Sequence, residues 1–484
     1  MNERMRTPPN ILLITTDQHR PDAVGWARNP EIRTPSLERL AADGAVFEDA
    51  VTVCPVCHPA RSSLLTGLYA HQTGEIANHG DLDPSLRTFP EALREAGYRT
   101  ECVGKGHWIH HTGQTSENFR EIQARQREAF GWDFWWEAAG KELVSHHHCD
   151  YSEVLRSAGI LEDYLEEVSR LRHNGYRGTG HKLDDRWIAS EWRWEEALYP
   201  DNQVGQQAVD RLERLCAGDQ PFCLWSSFLC PHPPYDPPAS YLQAELPDDG
   251  CSGILPGRVE LEERERQAIG ELRRRYRAMI RLVDDWIGRL LEVLDKHGQR
   301  EQTLVIFTAD HGEMMGDHGL FNKNSYYHSS VGIPMAMRGP GAAAGARRSE
   351  PVELTDITAT ILEAAGLEAG TVLSGGTRLP CRSLLEMSAN SKAPAVRDHA
   401  FAGNQGWRMV QNSQWKYIHR SGPGKPSQWC LFDRQRDPGE QENLAHSQDH
   451  AAIAWEMQQR LLEIISNSPA PARYWVGDSQ EARD

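Results

Sequence analysis

The run Ile11-Leu12-Leu13-Ile14-Thr15-Thr16 is short, unbroken in its apolar character and rich in β-branched residues, the pattern of a strand buried on both faces of a parallel sheet. Comparable runs over Ala45–Val51, Tyr98–Val103, Phe222–Leu229, Thr303–Thr308 and Val331–Met337 predict further strands. Helical segments are predicted between them at Ser36–Asp43, Glu91–Ala96, Gln206–Leu215 and Asp356–Ala365. Arg273–Leu294 predicts a long amphipathic helix, because Met279, Leu282, Val283, Trp286, Leu290 and Leu294 recur near helical spacing. Strands alternating with helices imply an α/β fold around a large, mostly parallel sheet. From about residue 110 to 200 the period is lost and Trp, His and charge accumulate, which predicts an insertion of loops and helices that shapes access to a site. Past about residue 380 the short segments Trp407–Gln411 and Trp415–Ile418 predict a small antiparallel sheet, closed by a helix over Ala451–Ile465. The expected organisation is a catalytic α/β domain over 8–380, with its insertion, and a small C-terminal subdomain over 381–484.

A chain of 484 residues with 39% hydrophobic content can bury a sizeable core. Its net charge of −17 opposes nucleic acid and anionic membranes as partners. A small anionic substrate remains compatible, provided the site supplies its own positive charge. No stretch has signal-peptide character and none approaches about 20 apolar residues. The ten cysteines form no compact disulfide framework. These features lead to the expectation of a reduced, cytoplasmic protein, free or as a homo-oligomer.

Three groups of residues carry candidate chemistry. The first is Cys57-His58-Pro59-Ala60-Arg61, continued by Ser62-Ser63-Leu64-Leu65-Thr66-Gly67-Leu68-Tyr69. Cys54 and Cys57 also make a C-x-x-C, but no second pair of that spacing follows, which argues against a zinc site. The second group is Asp17-Gln18 and Asp310-His311, each closing a predicted strand. Open α/β sheets place ligands at such strand ends, and carboxylates there suit a hard divalent cation. The third group comprises Lys105 and His107 in Gly104-Lys105-Gly106-His107, His232 in Pro231-His232-Pro233-Pro234-Tyr235, and Lys323.

The C-x-P-x-R run, with its S-x-L-L-T-G-x-Y continuation, resembles the signature of the type I sulfatases of the alkaline phosphatase superfamily. The G-K-x-H, P-H-x-P-aromatic and C-terminal segments (Leu431-Phe432-Asp433, Asp437-Pro438-Gly439-Glu440, Asn443-Leu444) are similar as well. The resemblance implies an alkaline-phosphatase-like α/β sandwich with a smaller antiparallel C-terminal subdomain. It also implies that a formylglycine-generating enzyme oxidises Cys57 to formylglycine (3-oxoalanine) during maturation. The hydrated aldehyde would attack the sulfur of a small sulfate ester, and its second hydroxyl would later expel the inorganic anion. Asp17, Gln18, the modified Cys57, Asp310 and His311 would hold one divalent cation, calcium being expected and manganese or magnesium the alternatives. By the same resemblance Arg61 would partner the nucleophile's oxygens and mark the site for the modifying enzyme. Lys105 and Lys323 would hold sulfate oxygens, and His232 with Lys323 would assist the departing oxygen. His107 would take the proton that lets the gem-diol collapse, and Asn78 would contact substrate.

Two positions depart from the commonest pattern. Gln18 stands where many members have Asp, and His311 where many have Asn. Iduronate- and choline-sulfatase-like members and the phosphonate monoester hydrolases share the histidine. The expected reaction is therefore sulfate ester hydrolysis, with phosphonate monoester or phosphodiester hydrolysis by the same machinery as the alternative. His19, His328 and the His146-His147-His148 run rank lower, the run being expected as a solvated loop. Asp317-His318 is expected to order the loop that carries Lys323. Trp132, Trp135, Trp136, Trp187, Trp192 and Trp194 would either pack in the core or stack on a substrate ring.

Overall fold

The computed structural model describes residues 8–470, except 28, 30, 110–113, 172–190, 246–261, 374–377 and 423–424. The first apolar run forms β1 (Asn10–Thr16), whose residues from Ile11 onward are buried. It lies inside an eight-stranded sheet with β2 (Ala45–Val51), β3 (Arg99–Gly104), β4 (Phe134–Glu137), β5 (Phe222–Ser227), β6 (Thr303–Ala309), β7 (Met335–Arg338) and β8 (Ala346–Glu353). The strand order is β4-β3-β5-β1-β6-β7-β2-β8. Only β7 runs antiparallel to its neighbours β6 and β2. Side chains alternate across the sheet as the pleat requires. Leu12 and Ile14 enter one core with the Pro200–Cys216 and Glu263–Lys296 helices. Ile11 and Leu13 enter the other, with helix α2 (Cys57–Thr66) and the Asp356–Ala364 helix. A separate sheet of β9 (Ala400–Gly403), β10 (Trp407–Gln411), β11 (Trp415–Gly422) and β12 (Lys425–Asp433) is wholly antiparallel, and the Ala451–Asn467 helix packs on it. Among the described residues no helix is long and apolar enough to cross a membrane.

Four elements differ from the pattern-based expectation. The insertion contains β4, which extends the main sheet beside β3 through the Glu101↔Phe134 to Gly104↔Glu137 register. β8, with the sequence ARRSEPVE, has too little apolar character to read as a strand, and it can be polar because it is the sheet edge. The expected strand over Val331–Met337 begins only at Met335: His328–Val331 is a helical turn, and Gly332 and Pro334 interrupt the extended run. The long helix starts at Glu263 rather than Arg273, its first turns being charged residues of high helix propensity, with Glu262 and Glu265 forming a capping box. The tryptophans of the insertion are core residues where they are described. Trp132 and Trp135 pack with Trp108 and Trp225, and Trp192 packs with Tyr164 and Tyr199. Trp187 lies outside the described residues.

Helix α1 (Pro35–Ala42) is capped from a distance. Thr34, at its N-cap, makes no side-chain cap; its hydroxyl accepts from the Gly25 amide. The exposed amides of Ser36 and Leu37 donate instead to the Asp284 carboxylate of the long helix, both at 2.9 Å. Burial raises the Asp284 pKa from 3.8 to about 6 against the pull of these amides. The protonated form is thus favoured by folding, so this contribution to stability is complete below pH ~4 and lost as pH rises through ~6. Asp284→Asn, which keeps an acceptor without the charge, should flatten melting temperature against pH over that window. Asp284→Ala should cost about 1 kcal/mol through the lost cap, visible as a lower melting temperature.

Candidate active site

β1 and β6 pair in parallel with Thr16 opposite Ala309, so the residues that follow, Asp17 and Asp310, emerge side by side. Both carboxylates are buried. The Gln18 and His311 amides each donate to Asp310 Oδ1 at 2.9 Å. Gln18 reaches this position with φ +62°, a backbone conformation unusual for a non-glycine residue. Facing them is the first turn of α2, where Cys57 is the first helical residue after the extended Val56. Arg61, one turn on, points the same way. Its Nε donates to Asp310 Oδ2 at 2.9 Å, and its terminal nitrogens donate to Asp17 Oδ2 at 3.3 Å, the Ser227 hydroxyl at 2.7 Å and the Lys105 carbonyl at 2.8 Å. The guanidinium therefore clamps the two carboxylates and two strand ends together.

Cys57 Sγ stands at the convergence of the remaining groups. Lys323 Nζ lies 2.7 Å away, His311 Nε2 3.2 Å and Asp17 Oδ1 3.6 Å, and both His107 and His232 hydrogen-bond the sulfur. Lys105 Nζ lies 2.5 Å from Asp17 Oδ2. Lys105 arrives through Gly104, where φ is +103° and a Cβ would stand 2.0 Å from the Ser227 carbonyl oxygen, so only glycine permits this approach of β3 to β5. His232 Nδ1 bonds the Pro233 carbonyl at 2.6 Å. Asn78 accepts from the His58 amide at 3.1 Å, at the head of α2. Cys57, Asn78, Lys105, His107 and His232 border a cavity of about 100 Å³. Gly140–Leu143 of the insertion line it as well.

The charges are mutually compensated. Burial and the nearby Cys57 push Asp17 upward, yet Lys105, His232 and Arg61 together hold its carboxyl below the usual carboxylate range. Burial opposes ionisation of Cys57, but Lys105, Lys323 and His311 hold the thiol well below its ordinary value. His107 is pushed down to about 3, chiefly by burial, so its imidazole is neutral near neutral pH. Its buried Nδ1 has no hydrogen-bond partner among the described residues. Burial and Lys323 depress His232 in the same direction.

Asp17, Cys57, Asp310 and His311 present ligand atoms that all lie within 4.8 Å of one another. The donor set fits a divalent cation. Arg61 and Lys105 occupy Asp17 Oδ2 and leave Oδ1 available. The His311 Nδ1 bonds the Gly312 carbonyl at 2.9 Å, so Nε2 carries the lone pair that faces the cluster. The Gln18 Oε1 is buried without a hydrogen-bond partner among the described residues, as a further oxygen donor would be.

Residues given lower rank resolve differently. His19 is a packed core histidine, bonded to Thr16 and the Ala23 carbonyl. His328 is half-buried, its amide donating to Glu440 at 2.8 Å. Asp317 pairs with Arg20 at 2.9 Å and Arg273 at 3.4 Å. Of the histidine run, His146 is exposed and His148 half-buried, whereas His147 is buried and pairs with Glu137 of β4 at 3.0 Å. Pattern reasoning missed Glu313, whose buried carboxylate takes the Met315 amide at 2.9 Å, the Asn322 amide at 2.6 Å, the Gln18 side-chain nitrogen and the Tyr235 hydroxyl. It ties three site loops together. Its proximity to Asp310-His311 was the only sequence signal, because Gln18 and Tyr235 reach it from distant segments.

Comparison with known proteins agrees with this architecture. A sulfatase family model matches residues 9–367, and a model described as N-sulphoglucosamine sulphohydrolase, C-terminal, matches 316–467. An arylsulfatase of Clostridium perfringens is 28% identical over 91% of this chain and 91% of its own. A choline-sulfatase of Rhizobium meliloti is 26% identical over 97% of this chain and 90% of its own. Among solved structures, a phosphonate monoester hydrolase from Silicibacter pomeroyi has a TM-score of 0.74 at 21% identity, covering 95% of this chain and 96% of its own. A protein solved with its substrate D-glucosamine-2-N,6-O-disulfate has a TM-score of 0.71 at 20% identity, covering 99% and 100%. These two likenesses establish the fold. With a family model spanning most of its length, the chain belongs to the sulfatase family and is a sulfuric ester hydrolase.

Proposed function

We propose that the chain hydrolyses a small sulfate ester with residue 57, converted from cysteine to formylglycine by a formylglycine-generating enzyme, as the nucleophile. The observation that carries this is the convergence of Lys323, His311, Asp17, His107 and His232 on Cys57 Sγ, which stands in for the oxygens that the modified side chain would bear. A buried thiol with purely structural duties has no use for that many cations and imidazoles. Hydrated formylglycine supplies two geminal hydroxyls, one to attack sulfur and one to release the inorganic anion. Asp17, Gln18, Asp310 and His311 would hold one divalent cation, calcium first among the candidates because the donors are mostly oxygens. When bound, such an ion neutralises the nonbridging oxygens of the ester and favours ionisation of the nucleophile.

The remaining work falls to the chain's own side chains. Lys105 and Lys323 place two ammonium groups around the position of the ester oxygens, where preorganised positive charge counts most. His232 hands a proton to the departing ester oxygen, and the bound sulfate adds counter-charge for its protonated form. His107, held neutral by burial beside residue 57, takes the proton from the geminal hydroxyl. Arg61 keeps both carboxylates in register and leaves the sulfate to the lysines. Asn78 braces the head of α2 at the cavity edge.

Cys57→Ala should lower turnover by at least about three orders of magnitude, with the melting temperature shifted by no more than a few degrees; substantial activity in that variant would sink the mechanism. Calcium should raise the melting temperature of the wild-type protein, with a chelator reversing the gain. Asp310→Asn should lose most of this response, and an undiminished response would place the ion elsewhere. On protein whose residue-57 peptide mass confirms conversion, kcat/KM should favour an aryl sulfate over the matching aryl phosphonate monoester. The opposite preference would keep the residue roles and replace the substrate class.

A further inference from the structure

The loop that carries His232 is gripped from both sides by buried charge. On one side Asp201, at the start of the Pro200–Cys216 helix, accepts from the Leu229 amide at 2.8 Å and the Cys230 amide at 3.0 Å. On the other side stands Lys141, a lysine of the insertion whose side chain has no solvent exposure. Its ammonium donates to Asp236 Oδ1 at 2.6 Å, to the Tyr199 hydroxyl at 2.6 Å and to the Pro234 carbonyl at 3.0 Å. The Pro234 carbonyl is one peptide beyond the Pro233 carbonyl that holds the His232 ring. The Lys141 backbone is fixed in turn, its carbonyl accepting from Tyr164 of the Leu161–Leu171 helix at 3.1 Å. Lys141 and its neighbours Glu142 and Leu143 also line the cavity that Cys57 and His232 border.

A buried ammonium is expensive to desolvate and is kept only where its partners are fully arranged. All three donor positions of Lys141 are satisfied, and two of them lie in the segment 234–236 just after His232. We propose that Lys141 is a positioning residue for the general acid: it locks the 230–236 loop so that His232 faces the ester oxygen, and it docks the insertion's cavity wall onto that same loop. This rests on the assignment of His232 as the proton donor. The insertion thereby acts on the chemical step as well as on access, because the wall meeting the organic half of the substrate and the loop delivering the proton share one ion pair.

The test is the dependence of kcat on leaving-group basicity across substituted phenyl sulfates, measured on fully converted protein. A proton donor matters most when the departing oxygen is basic, so misplacing it steepens that dependence. His232→Ala calibrates the readout and should give the steepest slope. Lys141→Met should also steepen it, lowering turnover of phenyl sulfate by about 10- to 100-fold and of 4-nitrophenyl sulfate much less. The double variant Lys141→Met/Asp236→Leu removes both buried charges, avoiding an orphaned carboxylate, and should show the same steepening with a recovered melting temperature. If His232→Ala steepens the slope while both Lys141 variants keep the wild-type slope and lose only thermal stability, Lys141 is a structural ion-pair partner and the proposal is overturned. If His232→Ala leaves the slope unchanged, the general-acid assignment itself fails and the proposal falls with it.

Discussion

Two carboxylates that emerge from adjacent parallel strands, about one strand spacing apart and sealed from water, repel each other and are costly to desolvate. The Asp17–Asp310 pair is stable only because positive charge is brought to it from elsewhere in the chain. Arg61 contributes a planar fork that spans both, and Lys105 adds a point charge on Asp17. Once Arg61 must reach these carboxylates, helix α2 has one allowed position over the sheet, and Cys57, one turn earlier on the same face, is delivered to their edge. The location of Cys57, the proposed nucleophile, follows from electrostatics imposed by the register of β1 against β6.

The same logic extends outward. His311 is oriented by the Gly312 carbonyl and His232 by the Pro233 carbonyl, so in both rings one nitrogen is occupied by backbone and the other is turned to the site. Glu313 gathers amides of the loop that leads to Lys323, together with Gln18 and Tyr235, and Asp317 secures the same loop through Arg20 and Arg273. Loops are ordinarily the soft part of an α/β protein. Here each is fastened by a buried charge or carboxylate, which keeps the dipoles aimed at the reacting group before substrate arrives.

An overall charge of −17 is reconciled with an anionic substrate in this way. Lys105, Lys323 and Arg61 are concentrated in a site where low dielectric strengthens each of them. The carboxylates at the strand ends leave room for a further cation without making the pocket uniformly basic.

What the amino-acid sequence determined by itself was periodic or contiguous. The buried strands over residues 11–16, 222–227 and 303–308, the helix faces and the Cys57–Tyr69 run are legible because burial on two sheet faces, a helical period and a local motif each leave a continuous mark. Strand-end carboxylates were legible for the same reason, since parallel sheets present ligands there. The polar edge strand β8 and the strand hidden in the insertion left no such mark, because an edge strand need not be apolar and four residues are too few to show a period. The partners of Arg61, Glu313 and Lys141 were decided only by the tertiary structure. Each is a charged residue of a type usually found in water, and each has partners that come from segments tens to hundreds of positions away. A buried charge is defined by what surrounds it, and those surroundings exist only after the chain has folded.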